Sequence, residues 1–122
     1  MNLQDIIYHI LCDILDIEKN EIKPETYLLR ELNAESIDLL ELAVSINQAF
    51  NITVNEDDLF LRKLRIFLDQ DIENNPEKII QEKYPFLSSE RINQIMTDLD
   101  NGPVLKVKDL MHYVSCQLSK TA

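Results

Sequence analysis

The chain is predicted to be all-α, and three observations predict it. One glycine and four prolines in 122 residues are too few for the turns and bulges of an all-β protein. Apolar residues recur at spacings of three and four over most of the chain, the period of helices that bury one stripe. The prolines and the single glycine fall between those patterns rather than inside them. A chain of this length suits one domain spanning residues 1–122, and it buries enough surface to fold without a disulfide or a metal.

Leu3, Ile6, Ile7, Ile10, Leu11, Ile14 and Leu15 form the stripe of a first helix of about four turns. Ile17 to Pro24 reads as a break, because Pro24 drives Lys23 out of helical geometry. Glu25 to Asn33 is a connecting loop with buried anchors at Tyr27, at Leu28 or Leu29, and at Leu32. A second helix runs from near Ser36 to about Phe50, with Leu39, Leu42, Ala43, Ile46 and Phe50 facing the core. Ile37, Leu40, Glu41 and Val44 lie on the neighbouring face and are expected at the surface. Asn51 to Val54 is a short loop. A third helix is expected over Glu56 to Gln70, with Leu61, Leu64 and Leu68 on one side and Phe60 and Phe67 beside them. Asn75-Pro76 starts a short helix that ends before Pro85, and Ser88 or Ser89 caps the next, which carries Ile92, Ile95, Met96 and Leu99. Asn101-Gly102-Pro103 stops it, and a last helix follows over roughly Lys106 to Leu118 on the stripe Val107, Leu110, Met111 and Val114.

The net charge of −10 is confined to one half. Residues 1–58 carry three basic and thirteen acidic residues, whereas residues 59–122 carry nine of each. Such a field repels nucleic acid and anionic membranes and attracts partners with basic patches, besides keeping the protein soluble. Cys12 and Cys116 lie in apolar helical patterns, so reduced buried thiols are expected. No apolar run is long enough to span a membrane, and the first residues lack the basic start of a signal peptide. A monomeric cytoplasmic protein is expected.

Leu32-Asn33-Ala34-Glu35-Ser36-Ile37-Asp38 is the most informative segment. Serine is a favoured helix N-cap, and Asp38 and Glu41 suit the positive end of the macrodipole, so the segment has a purely local explanation. Its context supplies another. From Ile6 to Val54 the sequence resembles an acyl carrier protein: an amphipathic helix, a long loop with buried hydrophobics, the serine motif, a helix ending in Phe50, then Ile52-Thr53-Val54. Val107 to Val114 looks like that family's closing helix.

The resemblance implies a four-helix carrier bundle enlarged by two or three helices between the second and last family helices, an insertion at about residues 59–103. It implies a non-enzymatic protein with Ser36 esterified by 4′-phosphopantetheine. A phosphopantetheinyl transferase would install that arm, which then carries an acyl thioester to loading, transfer or synthase enzymes with basic surfaces. Glu35, Asp38 and Glu41 would supply the acidic patch for those partners, and Ile37, Leu40 and Val44 the apolar contacts. The sequence departs from the family at Glu35, where aspartate is usual, at Asn33, where glycine is frequent, at neutral Asn47, Gln48 and Ala49, and at Lys106, where a capping hydroxyl is common. These departures favour a specialised lipid or secondary-metabolite pathway. The alternative is an unmodified helical adaptor on the same scaffold.

Other constellations carry less. His9 and His112 stand alone in helices, and no nucleophile elbow is present. Asp98 to Gly102 has its glycine one position early for a calcium loop and is followed by Pro103. Arg62, Lys63 and Arg65 make the start of the insertion locally basic, too small a cluster for nucleic acid. Phe60, Phe67 and Phe86 are expected in the core rather than in an acyl pocket.

Overall fold

The structure is a computed structural model that describes residues 2–70 and 75–121. Its helices are α1 (Leu3–Leu15), α2 (Ser36–Phe50), α3 (Glu56–Leu59), α4 (Leu64–Gln70), α5 (Pro76–Lys83), α6 (Ser89–Asp98) and α7 (Val107–Thr121), with single 3₁₀ turns at Lys19–Glu21 and Leu99–Asn101. Among the described residues none of these helices is long and apolar enough to cross a membrane. The architecture is an acyl-carrier-like bundle with extra helices, as expected.

Helix α1 starts where Asn2 accepts the Asp5 N–H at 2.8 Å, and it ends at Asp16 in the left-handed region. It packs on both α2 and α7, and α3 packs on α7. Ile7, Leu11, Leu42, Ile46, Leu110 and Val114 are buried at their shared centre, with Leu28 of the connecting loop. The additional helices follow in series, α4 on α5 and α5 on α6. They join the rest through an aromatic chain in which Phe67, Tyr84, Phe86 and Tyr113 meet at successive centroid distances of 5.9, 6.0 and 5.3 Å. Burial raises the Tyr84 hydroxyl to about 12. Phe60 is buried, and Phe67 and Phe86 are half-buried in this packing.

One expected helix is broken. Glu56 to Gln70 forms α3 and α4 with a turn between them, because Leu61 adopts φ +54°. The Arg62 N–H reaches the Asp57 carbonyl at 3.0 Å and the Leu61 N–H the Asp58 carbonyl at 3.4 Å, a Schellman ending with leucine where glycine is usual. A non-glycine residue held there costs of order 1–3 kcal/mol. Burial of Phe60, Leu61 and Leu64 against the bundle offsets it. The starts of α5 and α6 follow expectation, with Asn75 and Ser88 accepting backbone N–H groups of Glu77 and Arg91.

The deepest polar contact joins α6 to α7. Arg91, 2% exposed, donates to both carboxylate oxygens of Asp109, 0% exposed, at 2.8 and 2.9 Å, and also to the Val104 carbonyl at 2.6 Å. Asp109 additionally accepts the Lys106 N–H at 2.9 Å. The carboxylate three residues into α7 thus satisfies the N-cap backbone N–H, the reciprocal half of a capping box.

Candidate functional site

The approach to α2 is set by a loop anchored from both sides. The Leu28 N–H donates to the Leu105 carbonyl and the Val107 N–H to the Thr26 carbonyl, around an antiparallel bridge between Tyr27 and Lys106. Thr26 and Leu28 are buried, while Tyr27, Leu29 and Leu32 are half-buried. Glu25 receives Lys108 Nζ at 2.7 Å and Lys106 Nζ at 2.9 Å, and these two ammonium groups hold its carboxyl down to about 2. The Tyr27 hydroxyl donates to Asp98 at 2.6 Å, and Arg30 adds a 3.0 Å contact to the same carboxylate. Hydrogen bonds from Tyr27, then Arg30 and Asn101, keep Asp98 well below the usual carboxylate range. Arg30 also reaches the Gly102 carbonyl at 3.0 Å. The Asp98 carboxylate that entered the discounted calcium-loop pattern is thus engaged by three side chains of this cluster.

Asn33 then turns the chain with φ +56°. Asparagine tolerates this left-handed geometry better than most side chains, which accounts for its standing where carrier sequences often have glycine. Two residues later Glu35 is the N-cap of α2, and its N–H donates to Asp38 Oδ2 at 2.9 Å. The local reading of Ser36 as N-cap is therefore corrected: Ser36 is the first helical residue, and the capping is done by Glu35 and Asp38. The physical reason is that a carboxylate three residues into the helix already satisfies the cap position. The Ser36 side chain is exposed and, among the described residues, its hydroxyl has no hydrogen-bond partner. The first N–H groups of any helix lack intrahelical acceptors and carry the positive dipole end, so this position suits a phosphodiester.

Below the serine runs a surface stripe. Ile37, Leu40 and Val44 are 63%, 53% and 49% exposed, although each is a large apolar residue. Glu35 and Glu41 are exposed beside them, and Asp38 is half-buried. Ser36, Ile37, Leu40, Glu41 and Val44 are thus exposed along α2 and Glu35 is exposed at its N-cap, whereas Asp38 borders the α1–α2 space. Exposed Asn47, Gln48 and Ala49 continue the helix without charge.

Two hollows flank α2. An open groove of about 410 Å³ runs over Ala43, Val44, Asn47 and Val54. A smaller apolar cleft of about 190 Å³ is lined by Leu29, Leu39, Leu64 and Leu105 and edged by Arg62 and Arg65. The space between α1 and α2, bounded by Leu11, Ile14, Leu28 and Leu42, is too narrow to admit a water. Sequence periodicity did not reveal the cleft or the Tyr27–Arg30–Asp98 cluster, because both join residues far apart in the chain. No short-range pattern encodes them.

The family described as "Phosphopantetheine attachment site" matches over residues 5–64. An acyl carrier protein of Nitratidesulfovibrio vulgaris is 34% identical over 58 residues, 48% of this chain and 76% of that protein. One of Chlamydia trachomatis is 33% identical over 58 residues, 48% of this chain and 75% of that protein. One of Cyanophora paradoxa is 31% identical over 68 residues, 55% of this chain and 66% of that protein. No solved structure matches. The matched span contains α1 from Asp5 onward, the anchored loop, α2 with the exposed serine, and α3, and it stops where α4 begins. On these matches the chain belongs to the acyl carrier proteins, non-enzymatic carriers with a covalently attached 4′-phosphopantetheine.

Proposed function

We propose that Ser36 is the residue that bears the phosphopantetheine arm, and that α2 presents the arm and its acyl thioester to partner enzymes. The carrying observation is the exposed hydroxyl at the first residue of α2, without a hydrogen-bond partner among the described residues, where Glu35 and Asp38 do the capping. A bulky donor can approach it from solvent. The arm supplies the thiol; the protein's own residues place it and screen its surroundings.

Glu35, Asp38 and Glu41 form the field that a transferase or synthase with a basic surface would meet, and Ile37, Leu40 and Val44 the apolar contact behind it. Charge of this kind mainly speeds encounter and selects partners. The neutral end of α2 and the additional helices within residues 59–103 support service in a specialised pathway, with that segment, inserted into one carrier domain, as a partner-specific surface.

Intact mass after incubation with coenzyme A and a promiscuous pantetheinyl transferase tests the assignment. A gain of one phosphopantetheine on the wild-type chain, absent in Ser36→Ala, is expected. A gain that survives Ser36→Ala would move the site elsewhere. No gain on a folded sample would favour an unmodified adaptor.

A further inference from the structure

The loop that delivers Ser36 is held by a carboxylate from one of the additional helices. Asp98 is the last residue of α6, and its side chain is 16% exposed. Tyr27 donates its hydroxyl to one carboxylate oxygen at 2.6 Å, and Arg30 Nη1 donates to the other at 3.0 Å. Arg30 Nη2 continues to the Asp98 carbonyl at 3.3 Å and to the Gly102 carbonyl at 3.0 Å. The Arg30 guanidinium lies 4.2 Å from the centroid of the Tyr27 ring, so the two side chains hold Asp98 as one unit. The far end is fixed as well, since the buried Arg91–Asp109 pair ties α6 to α7.

Backbone hydrogen bonds carry this grip to the serine. The Tyr27 carbonyl accepts the Glu31 N–H at 3.1 Å and the Leu32 N–H at 3.3 Å, and the Tyr27 N–H donates to Glu31 Oε1 at 3.2 Å. The Leu28 carbonyl accepts the Ala34 N–H at 3.3 Å. Residues 27–34 are thus closed on themselves by hydrogen bonds. Ala34 leads directly into the Glu35 cap, whose carbonyl accepts the Leu39 N–H at 3.0 Å. A loop so restrained keeps little backbone freedom, so the seat of Tyr27 and Arg30 on Asp98 fixes where α2 starts.

We propose that Asp98 is a positioning residue for loading of the arm, an inference that rests on Ser36 being the attachment point. In that step Ser36 Oγ bonds to the pantetheine-side phosphorus of coenzyme A and the phosphoanhydride bond breaks. 3′,5′-Adenosine diphosphate leaves with the electron pair, and the serine proton goes to the medium. Asp98 touches none of these atoms. It holds the start of α2 in the arrangement that a transferase binds. When that arrangement is only partly populated, apparent affinity falls by the same fraction, while turnover of the bound chain is kept. The signature is a raised KM for the carrier at unchanged kcat.

Loading kinetics with coenzyme A and a promiscuous pantetheinyl transferase, followed by intact mass, test this on Tyr27→Phe and Asp98→Asn. Ile80→Val is the control, because Ile80 is fully buried in α5, which packs on α4 and α6, and its truncation lowers stability through packing alone. Both clamp variants should raise KM by about two- to tenfold, the span of one net hydrogen bond, and Ile80→Val should match the wild type. Amide hydrogen exchange reads the same effect without loading: the Ala34 and Leu39 N–H groups should exchange faster in the clamp variants than in Ile80→Val. Unchanged KM and unchanged exchange in folded clamp variants overturn the proposal. A rise in KM shared equally by Ile80→Val also overturns it, since general loosening then suffices. Both results leave Ser36 as the attachment point, whereas failure of the wild-type chain to gain mass overturns that reading and this one with it.

Discussion

Replacing Arg91 by methionine tests how firmly the additional helices are built into this carrier. The substitution keeps most of the apolar stem and removes the guanidinium. Asp109 then loses two charge-assisted hydrogen bonds, of 2.8 and 2.9 Å, and retains the Lys106 N–H. With the carboxylate 0% exposed, water cannot replace the lost donors. Breaking one side of such a buried pair costs about 3–5 kcal/mol. That is a large share of the roughly 5–15 kcal/mol by which domains are stable. For a chain of this size each kcal/mol moves Tm by about 3–5 °C, so a fall of about 9–25 °C is expected. Urea and thermal unfolding followed by far-ultraviolet circular dichroism measure it. The double variant Arg91→Met/Asp109→Leu should recover much of the loss, since two apolar groups of similar volume replace the pair, less about 1 kcal/mol for the lost cap at Lys106. A single variant that loses under about 1 kcal/mol, or a double variant no more stable than the single, would refute the reasoning.

Acid should release the loop clamp. Asp98 and Glu25 are both held below their ordinary values in the folded protein, so their stabilisation is fully present above about pH 4.5 and is lost as pH falls toward 2. Asp98→Asn should lower neutral-pH stability by about 1–3 kcal/mol and flatten that acid limb in a pH series of urea midpoints. Glu41→Lys should slow phosphopantetheine loading more at low salt than at high salt, whereas equal slowing would count against the acidic-face proposal. Glu41 is the clean probe because Glu35 and Asp38 also build the start of α2. Asn33→Val should cost of order 1–3 kcal/mol in unfolding experiments and Asn33→Gly little, since φ is +56° there.

Local features were legible in the sequence. The helical period placed α1 and α2 at the observed residues and assigned Ile37, Leu40 and Val44 to the surface, because one helix face alternates with the next on a spacing the chain displays openly. Asn75-Pro76 and Asn101-Gly102-Pro103 marked boundaries through their own backbone chemistry. The break at Leu61 was not legible, because leucine gives no sign of a left-handed turn; burial of its neighbours holds it there. Capping of α2 was legible only in part. Serine, glutamate and aspartate at Glu35, Ser36 and Asp38 all suit a helix start, and which one caps depends on where the loop before them lands. Arg91–Asp109 and Arg30–Asp98 join residues 18 and 68 positions apart, distances at which pattern says nothing about pairing.

Those distant contacts bear on the serine. The loop at residues 25–35 has little regular structure, so its free backbone entropy would leave the start of α2 poorly placed. Three attachments restrain it: the bridge to Lys106, the Glu25 contacts to Lys106 and Lys108, and the grip of Tyr27 and Arg30 on Asp98 and Gly102. The first two come from the approach to α7 and its first turn, and the third from the end of α6. The approach to α7 is in turn held by Arg91 through Asp109 and the Val104 carbonyl. Removing residues 59–103 would therefore strip Asp109 of its buried partner and the loop of one anchor together. A deletion chain that fails with its acyl partner would report lost folding before it reported lost recognition, whereas a surface substitution on α4, such as Ile66→Ser, leaves both anchors intact and separates the two effects.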